Sequence, residues 1–347
     1  MKRTASVPTV LVALALVLSA CTGAGTTDTS APSVAPSVAP SVAPATPPAT
    51  PAPPPATVAP DTEQYVANAA EFVKAADWDT KKTITIELAE MSFTPKDIVL
   101  EAGQPYVLEV VNVGTEKHEF TAEDFMRTVA TRKAETPESE VKVPFFTEIE
   151  VFADKTVELF IIPLIPGTYD VVCEIGLGTP DGHFEKGMFG TITVTGQTPA
   201  SPALQLAAVD SGPWITDGAA QVKAADWDTK QTIQIDLAEM SFTPKDTVLK
   251  VGQPYIISVV NVGTEKHEFT AEEFFNSIAF RKAEDASGEF KGPAPREVEV
   301  FAGTSIELFL IPTKVGTYQL VCEIGLGTPD GHFEKGMFGT FTVVAGG

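Results

Sequence analysis

Two consecutive all-β sandwiches are the fold this sequence predicts, on three observations. The chain repeats itself at an interval of 149 residues, each copy is a series of short apolar runs with strand periodicity, and Gly or Pro turns separate the runs. VKAADWDTKKTITIELAEMSFTPKD from Val73 returns as VKAADWDTKQTIQIDLAEMSFTPKD from Val222. An interval of that length is the size of a domain, too long for a solenoid unit. A chain of 347 residues has room for two such cores.

The N-terminus stands apart from the repeat. Lys2 and Arg3 precede the apolar run VLVALALVLSA, which is too short to span a membrane. Leu18-Ser19-Ala20-Cys21 resembles a bacterial lipobox. The resemblance implies a signal peptide over 1–20, cleavage before Cys21 and lipid on its sulfur. The expected location is extracytoplasmic, in the periplasm or at the cell surface of a bacterium, attached to the membrane by the lipid anchor only. Residues 21–60 are mostly Ala, Pro, Ser, Thr and Val with APSV repeated, a composition that forms no core and favours an extended stalk. The first β domain is then 61–197, the joint 198–218 and the second β domain 219–347.

Within the first copy, residues 83–89 alternate apolar and polar, the strand period. Residues 98–100, 106–112, 147–152, 157–162, 169–174 and 190–195 also read as strands, short and β-rich, with turns such as Ala102-Gly103 and Pro166-Gly167 between them. Residues 121–135, TAEDFMRTVATRKAE, break the pattern. Thr121 can cap a helix, Phe125 and Val129 share a helical face, and basic residues come late, so the expectation is a short inserted helix. Residues 136–147 and 285–296 are where the two copies differ freely.

The formal net charge of −22 argues against nucleic acid as a partner, since phosphate binding needs Lys and Arg. It fits high solubility and docking to a basic protein face.

The chemistry lies in few residues. Besides Cys21 there are two cysteines, Cys173 and Cys322, and four histidines, His118, His183, His267 and His332. CEIGLGTPDGHFEKGM, residues 173–188, recurs letter for letter at 322–337, and NVGTEKHEF carries the remaining histidine of each copy. Each copy thus has one thiol, two imidazoles and, at Met188 or Met337, one thioether. That set suits a mononuclear copper centre with a His2Cys plane and a weak axial Met. Each copy has a single cysteine, which excludes a disulfide within a domain; a Cys173–Cys322 bridge is the alternative use of the thiols.

M-x-F-x-P at Met91, the N-x-G-x-x-x-H string, P-G-T-Y before a Cys and the G-H-x-x-x-G-M ending together resemble the cupredoxin family over nearly all of both copies. The resemblance implies Greek-key sandwiches and two copper sites per chain: His118, Cys173, His183 and Met188 on one copper, His267, Cys322, His332 and Met337 on the other. Met91 and Met240 read as core. Two departures bear on the electronic properties of the sites. Nine residues separate Cys173 from His183, more than is usual in the family, and Glu119 and Glu268 follow the first His where many members have Asn. Carboxylates there, with Glu174 and Glu323 beside the Cys, would favour Cu(II). A Met that only packs, or a Glu in place of the axial Met, are open alternatives.

Three functions follow as expectations. The first is a membrane-tethered, non-enzymatic carrier of single electrons between redox partner proteins, with a basic cytochrome or oxidase as the expected kind of partner. The second is copper storage, tolerance or delivery. The third, a copper oxidase or nitrite reductase, needs further histidines beyond the four already assigned.

Overall fold

The computed structural model describes residues 63–346. The signal peptide, Cys21 and the stalk fall outside them. The first copy contains β1 (Gln64–Val66), α1 (Ala69–Ala75), β2 (Lys82–Ala89), β3 (Ser92–Thr94), β4 (Asp97–Glu101), β5 (Tyr106–Asn112), β6 (His118–Thr121), α2 (Glu123–Arg127), β7 (Val129–Glu135), β8 (Ser139–Lys142), β9 (Glu148–Val151), β10 (Thr156–Pro163), β11 (Gly167–Val172) and β12 (Phe189–Thr195). After β13 (Leu206–Ala208) in the joint, the second copy runs α3 (Gly218–Ala224), β14 (Gln231–Ala238), β15 (Ser241–Thr243), β16 (Asp246–Lys250), β17 (Tyr255–Asn261), β18 (His267–Phe269), α4 (Glu272–Phe275), β19 (Ile278–Glu284), β20 (Gly288–Lys291), β21 (Glu297–Val300), β22 (Ser305–Pro312), β23 (Gly316–Val321) and β24 (Phe338–Val344).

Each copy is a sandwich of two sheets, and the alternation seen in the sequence sets the inner faces. Ile86 and Leu88 of β2, Leu108 and Val110 of β5, and Leu159 and Ile161 of β10 are fully buried, as are Phe120 of β6, Val171 of β11 and Ile192 of β12. The first sheet of the first copy is ordered β3-β2-β5-β10-β7-β8 and the second β9-β6-β11-β12-β4. The pairs β2–β5 and β4–β12 are parallel. The second copy repeats the order, with the single bridge Thr270–Val321 where Thr121–Val172 joins β6 to β11 in the first.

The sheets do not stop at the boundary between copies. β8 pairs antiparallel with β21, and β20 pairs antiparallel with β9. The first sheet of each copy therefore continues into the second sheet of the other. Two contacts lie on the pseudo-twofold axis, where a residue meets its own counterpart. Thr136 Oγ1 donates to Asp285 Oδ2 at 2.6 Å, and Ser287 Oγ donates to Glu138 Oε2 at 2.6 Å. Asp285 also accepts from Ser139 Oγ and from the amides of Ser287 and Gly288. Phe146 and Phe290, one from each copy and both buried, lie 6.3 Å apart in the same apolar cluster. The segments that differ freely between copies are thus the seam.

Two expectations change. The inserted helix is only α2; residues 129–135 are the strand β7. Thr128 Oγ1 closes α2 by donating to Phe125 O at 2.7 Å, and β7 is then held between β10 and β8. Val129 and Thr131 suit that pleat, and non-local pairing overrides the local helical pattern. Met91 and Met240 are half-buried turn residues with φ of 64° and 62°, while Phe93 and Phe242 fill the core. The joint is packed: β13 pairs with β1, and buried Trp214 lies 5.1 Å from Tyr65 and 5.8 Å from Phe145, ring to ring.

Shared sheets make one cooperative unit of the two copies. Denaturant unfolding followed by circular dichroism should show a single transition for both. Phe290→Ala should destabilise that whole transition by about 3–5 kcal/mol; two separated transitions, with only one moved, would contradict the interlocked arrangement.

Candidate metal centre

Asn112, at the end of β5, fixes the turn that delivers the first histidine. It is buried, its Nδ2 donates to Glu116 O at 2.7 Å and to Val151 O at 2.8 Å, and its Oδ1 accepts from Gly114 N at 2.9 Å. His118 then enters β6 opposite Val151 and is fully buried. Asn261 makes the same three bonds before His267.

The 173–188 loop begins where β11 ends and folds back on itself. Cys173 N donates to Met188 O at 3.1 Å, His183 N to Ile175 O at 2.9 Å, and Met188 N to His183 O at 2.9 Å. The long insert is ordered by its own bonds, including Gly178 N to Glu185 Oε1 at 2.6 Å and Thr179 Oγ1 to Gly176 O at 2.7 Å. Gly182 allows the crossing, since a Cβ there would lie 2.5 Å from Gly176 O. Gly187 has φ of 107°, a left-handed conformation that returns the chain to Met188.

Three donor atoms converge as a result. His118 Nδ1 lies 3.2 Å from His183 Nδ1, and Cys173 Sγ lies 3.3 Å from the same atom. In the second copy His267 and His332 are 3.3 Å apart and Cys322 lies 3.3 Å from His332. The three donor atoms of each copy all lie within 4.8 Å of one another. Ligands held at about 2.0–2.3 Å from one ion in a trigonal plane lie about 3.5–3.7 Å apart, so the cradle matches a transition-metal ion with slight opening. Soft sulfur with two imidazole nitrogens fits copper. His118 Nε2 and His267 Nε2 are buried without a partner among the described residues, and the Nδ1 atoms are the ones that converge. Met188 and Met337 are wholly buried at the ends of their loops.

The surroundings are acidic. Glu119 N donates to Cys173 Sγ at 3.3 Å, and Glu119 Oε2 accepts from Glu174 N at 3.0 Å. Glu268 N likewise donates to Cys322 Sγ at 3.3 Å, but Glu268 Oε2 has no partner among the described residues. Burial, then the neighbouring Glu148, raises the Glu119 carboxyl to about 8; burial and Glu297 raise Glu268 to about 7. Burial pushes the Cys173 and Cys322 thiols up to about 11. Burial also lowers His118 and His267, followed by the adjacent imidazole, which favours the neutral ligating form. Of the four carboxylates the sequence singles out, Glu119 and Glu268 lie against the thiol through their amides, while the side chains of Glu174 and Glu323 are exposed.

Sequence reasoning missed several neighbours. Glu116 approaches His183 Nε2 at 3.5 Å and Glu265 approaches His332 Nε2 at 3.7 Å. Glu148 and Glu150 cluster with Glu119, as Glu297 and Glu299 do with Glu268. Lys291 pairs with Glu148 and Lys142 with Glu297, in each case across the seam. Their signal was available. In the divergent stretch of twelve residues only Glu140, Lys142 and Pro144 reappear, as Glu289, Lys291 and Pro293.

The cupredoxin-like domain model fits this chain twice, over residues 65–184 and 214–333. The copper-resistant cuproprotein CopI of Rubrivivax gelatinosus is 28% identical over 115 residues, which are 33% of this chain and 67% of that protein. Among solved structures, a multicopper oxidase from Campylobacter jejuni is 12% identical over 77% of this chain, with a TM-score of 0.29, and the chain spans 64% of that oxidase. Auracyanin from Roseiflexus castenholzii is 18% identical over 33% of this chain and 96% of its own, with a TM-score of 0.23. At those scores neither structure bears on what this chain does.

Asn112→Ala removes the three bonds that aim His118. It should weaken metal retention at the first centre about 10–100-fold and leave the second unchanged, measured by competition with a chromophoric chelator. Equal loss at both centres would contradict local control by the turn.

Proposed function

The chain belongs to the cupredoxin-like family, and on that premise we propose that it is an extracytoplasmic copper protein whose two mononuclear centres each carry one electron at a time. The observation behind this reading is the convergence of one thiol and two imidazole nitrogens at 3.2–3.3 Å, made twice on identical loops. Copper, when bound, supplies a one-electron couple that cycles between Cu(I) and Cu(II). The chain's part is to hold donors still. Cys173 and His183 are tied into one loop, and His118 is tied by Asn112 to a sheet interior, so the donor set changes little with the charge at its centre. Met188 and Met337 would add a thioether to each donor set, and each is bonded through its amide to the carbonyl of the loop histidine. Burial of all four donors keeps bulk water from the centre.

All four histidines belong to the two centres, which leaves no imidazole in the chain for a third. We therefore read the protein as a carrier with no catalysis of its own. Its partners would be redox proteins with a basic face, a cytochrome or an oxidase, drawn by the acidic surface; complex formation should weaken steeply with ionic strength. Cys21 would moor the carrier by lipid outside the cytoplasm. A second reading, copper tolerance or delivery, is favoured by the likeness to a protein described as copper-resistant.

Cu(II) titration of the metal-free chain separates these readings. The carrier should take up two coppers, develop intense thiolate-to-copper charge-transfer bands, and bleach and recover reversibly with reductant and oxidant. Cys173→Ser or Cys322→Ser should each remove one copper and about half the band. A chain that stays colourless, or takes only Cu(I), would favour tolerance or delivery.

The raised thiols add a pH dependence. A thiol near 11 is protonated at neutral pH, so each copper should displace one proton, and affinity should rise with pH until that value. A pH-stat reading near zero protons per copper would mean that the thiols do not ligate.

A further inference from the structure

The charge beside each thiol comes partly from the opposite copy. Lys291, on β20 of the second copy, is placed by the β20–β9 pairing directly opposite Glu148 of the first and forms an ion pair with it. Carboxylate oxygens of Glu148, Glu119 and Glu150 lie within 4.8 Å of one another. Glu119 in turn touches the centre, since its amide donates to Cys173 Sγ at 3.3 Å and its Oε2 accepts from the amide of Glu174, the residue after the cysteine. The same chain runs in reverse from Lys142 of the first copy through Glu297, clustered with Glu268, to Cys322. In each cluster of three glutamates one lysine is local: Lys117 donates to Glu150 at 2.9 Å and Lys266 to Glu299 at 2.8 Å. The other lysine crosses the seam.

Two features make these crossing lysines more than surface pairs. Lys142 and Lys291 are each only about one-third exposed, and their glutamate partners less than one-sixth, so water screens the pairs incompletely. The lysines have also been kept in both copies within a stretch where nine of twelve positions have changed.

We propose that Lys291 is a positioning residue for the metal centre of the first copy and Lys142 for that of the second, each holding the carboxylates beside the thiolate and adding a positive charge that favours the reduced state. This rests on the copper reading above. A cation near the site disfavours the more highly charged Cu(II), so its removal shifts the couple toward Cu(II). The influence is reciprocal and in trans: neither centre has its complete charge environment within its own copy. The centres are also not equivalent, since the Glu174-to-Glu119 bond holds the first carboxylate while Glu268 Oε2 is left without a partner among the described residues.

The test is a redox titration of the full chain, with single-centre parents separating the signals. Cys322→Ser leaves the first centre and Cys173→Ser the second. A parent with no charge-transfer band that bleaches reversibly would refute the copper reading itself, before any lysine is changed. In working parents, Lys291→Met should shift the Cu(I)/Cu(II) equilibrium of the first centre roughly tenfold toward Cu(II), 59 mV for one electron, and leave the second within twofold. Lys142→Met should do the reverse, and Lys291→Arg should restore the parent value. Thermal unfolding of the copper-free variants checks the fold, and Lys291→Gln replaces Met if the latter does not fold. No shift in a folded variant, an equal shift at both centres, or a shift confined to the lysine's own copy overturns the proposal.

Discussion

β6 and β18 carry the first histidine of each centre, and the strand beside each, β9 or β21, is kept from being a sheet edge only by the opposite copy. Without β20 against it, β9 would be an edge, and β6 would lie one strand from solvent. Edges are where strands fray, slip or add foreign partners. The pairings β9–β20 and β8–β21 leave none of those four strands at an edge, and register sets which face of β6 and β18 turns inward. A slip of one residue would turn His118 away from the centre. Loop geometry, ligand convergence and the acidic surroundings all presuppose that register.

The centre combines rigid parts of different origin. His118 comes from a strand whose position depends on long-range pairing. Cys173, His183 and Met188 come from one loop closed by local amide bonds. Asn112 fixes the strand's approach by bonding the Glu116 carbonyl in the His turn and the Val151 carbonyl on β9. A donor set held this way gives a metal little freedom to choose a geometry for each oxidation state, which is what rapid one-electron exchange needs. The same burial raises the thiols, so the site in its metal-free form is protonated and poorly nucleophilic.

The converging donor residues stood out in the sequence because their types suit one chemistry and the duplication shows them twice. The strands of the inner sheets were legible from alternation, as with Ile86 and Leu88. Residues 129–135 were not: Phe125 and Val129 satisfy a helical spacing, and only pairing with the distant β10 reveals the strand. The seam was not legible for a related reason. On a twofold axis a residue faces its counterpart, so two identical copies place like against like. Thr136 against Asp285, and Glu138 against Ser287, replace that with donor against acceptor. Divergence there reflects complementarity, which no single copy displays. Lys142 and Lys291 stayed the same because each faces a glutamate off the axis.

Copper K-edge X-ray absorption of the loaded chain, recorded oxidised and then reduced, tests the central claim most directly. The account predicts two nitrogen ligands and one short sulfur ligand per copper in both states, with distances that barely change on reduction. A spectrum without sulfur, or a coordination shell rebuilt between the two states, would contradict it.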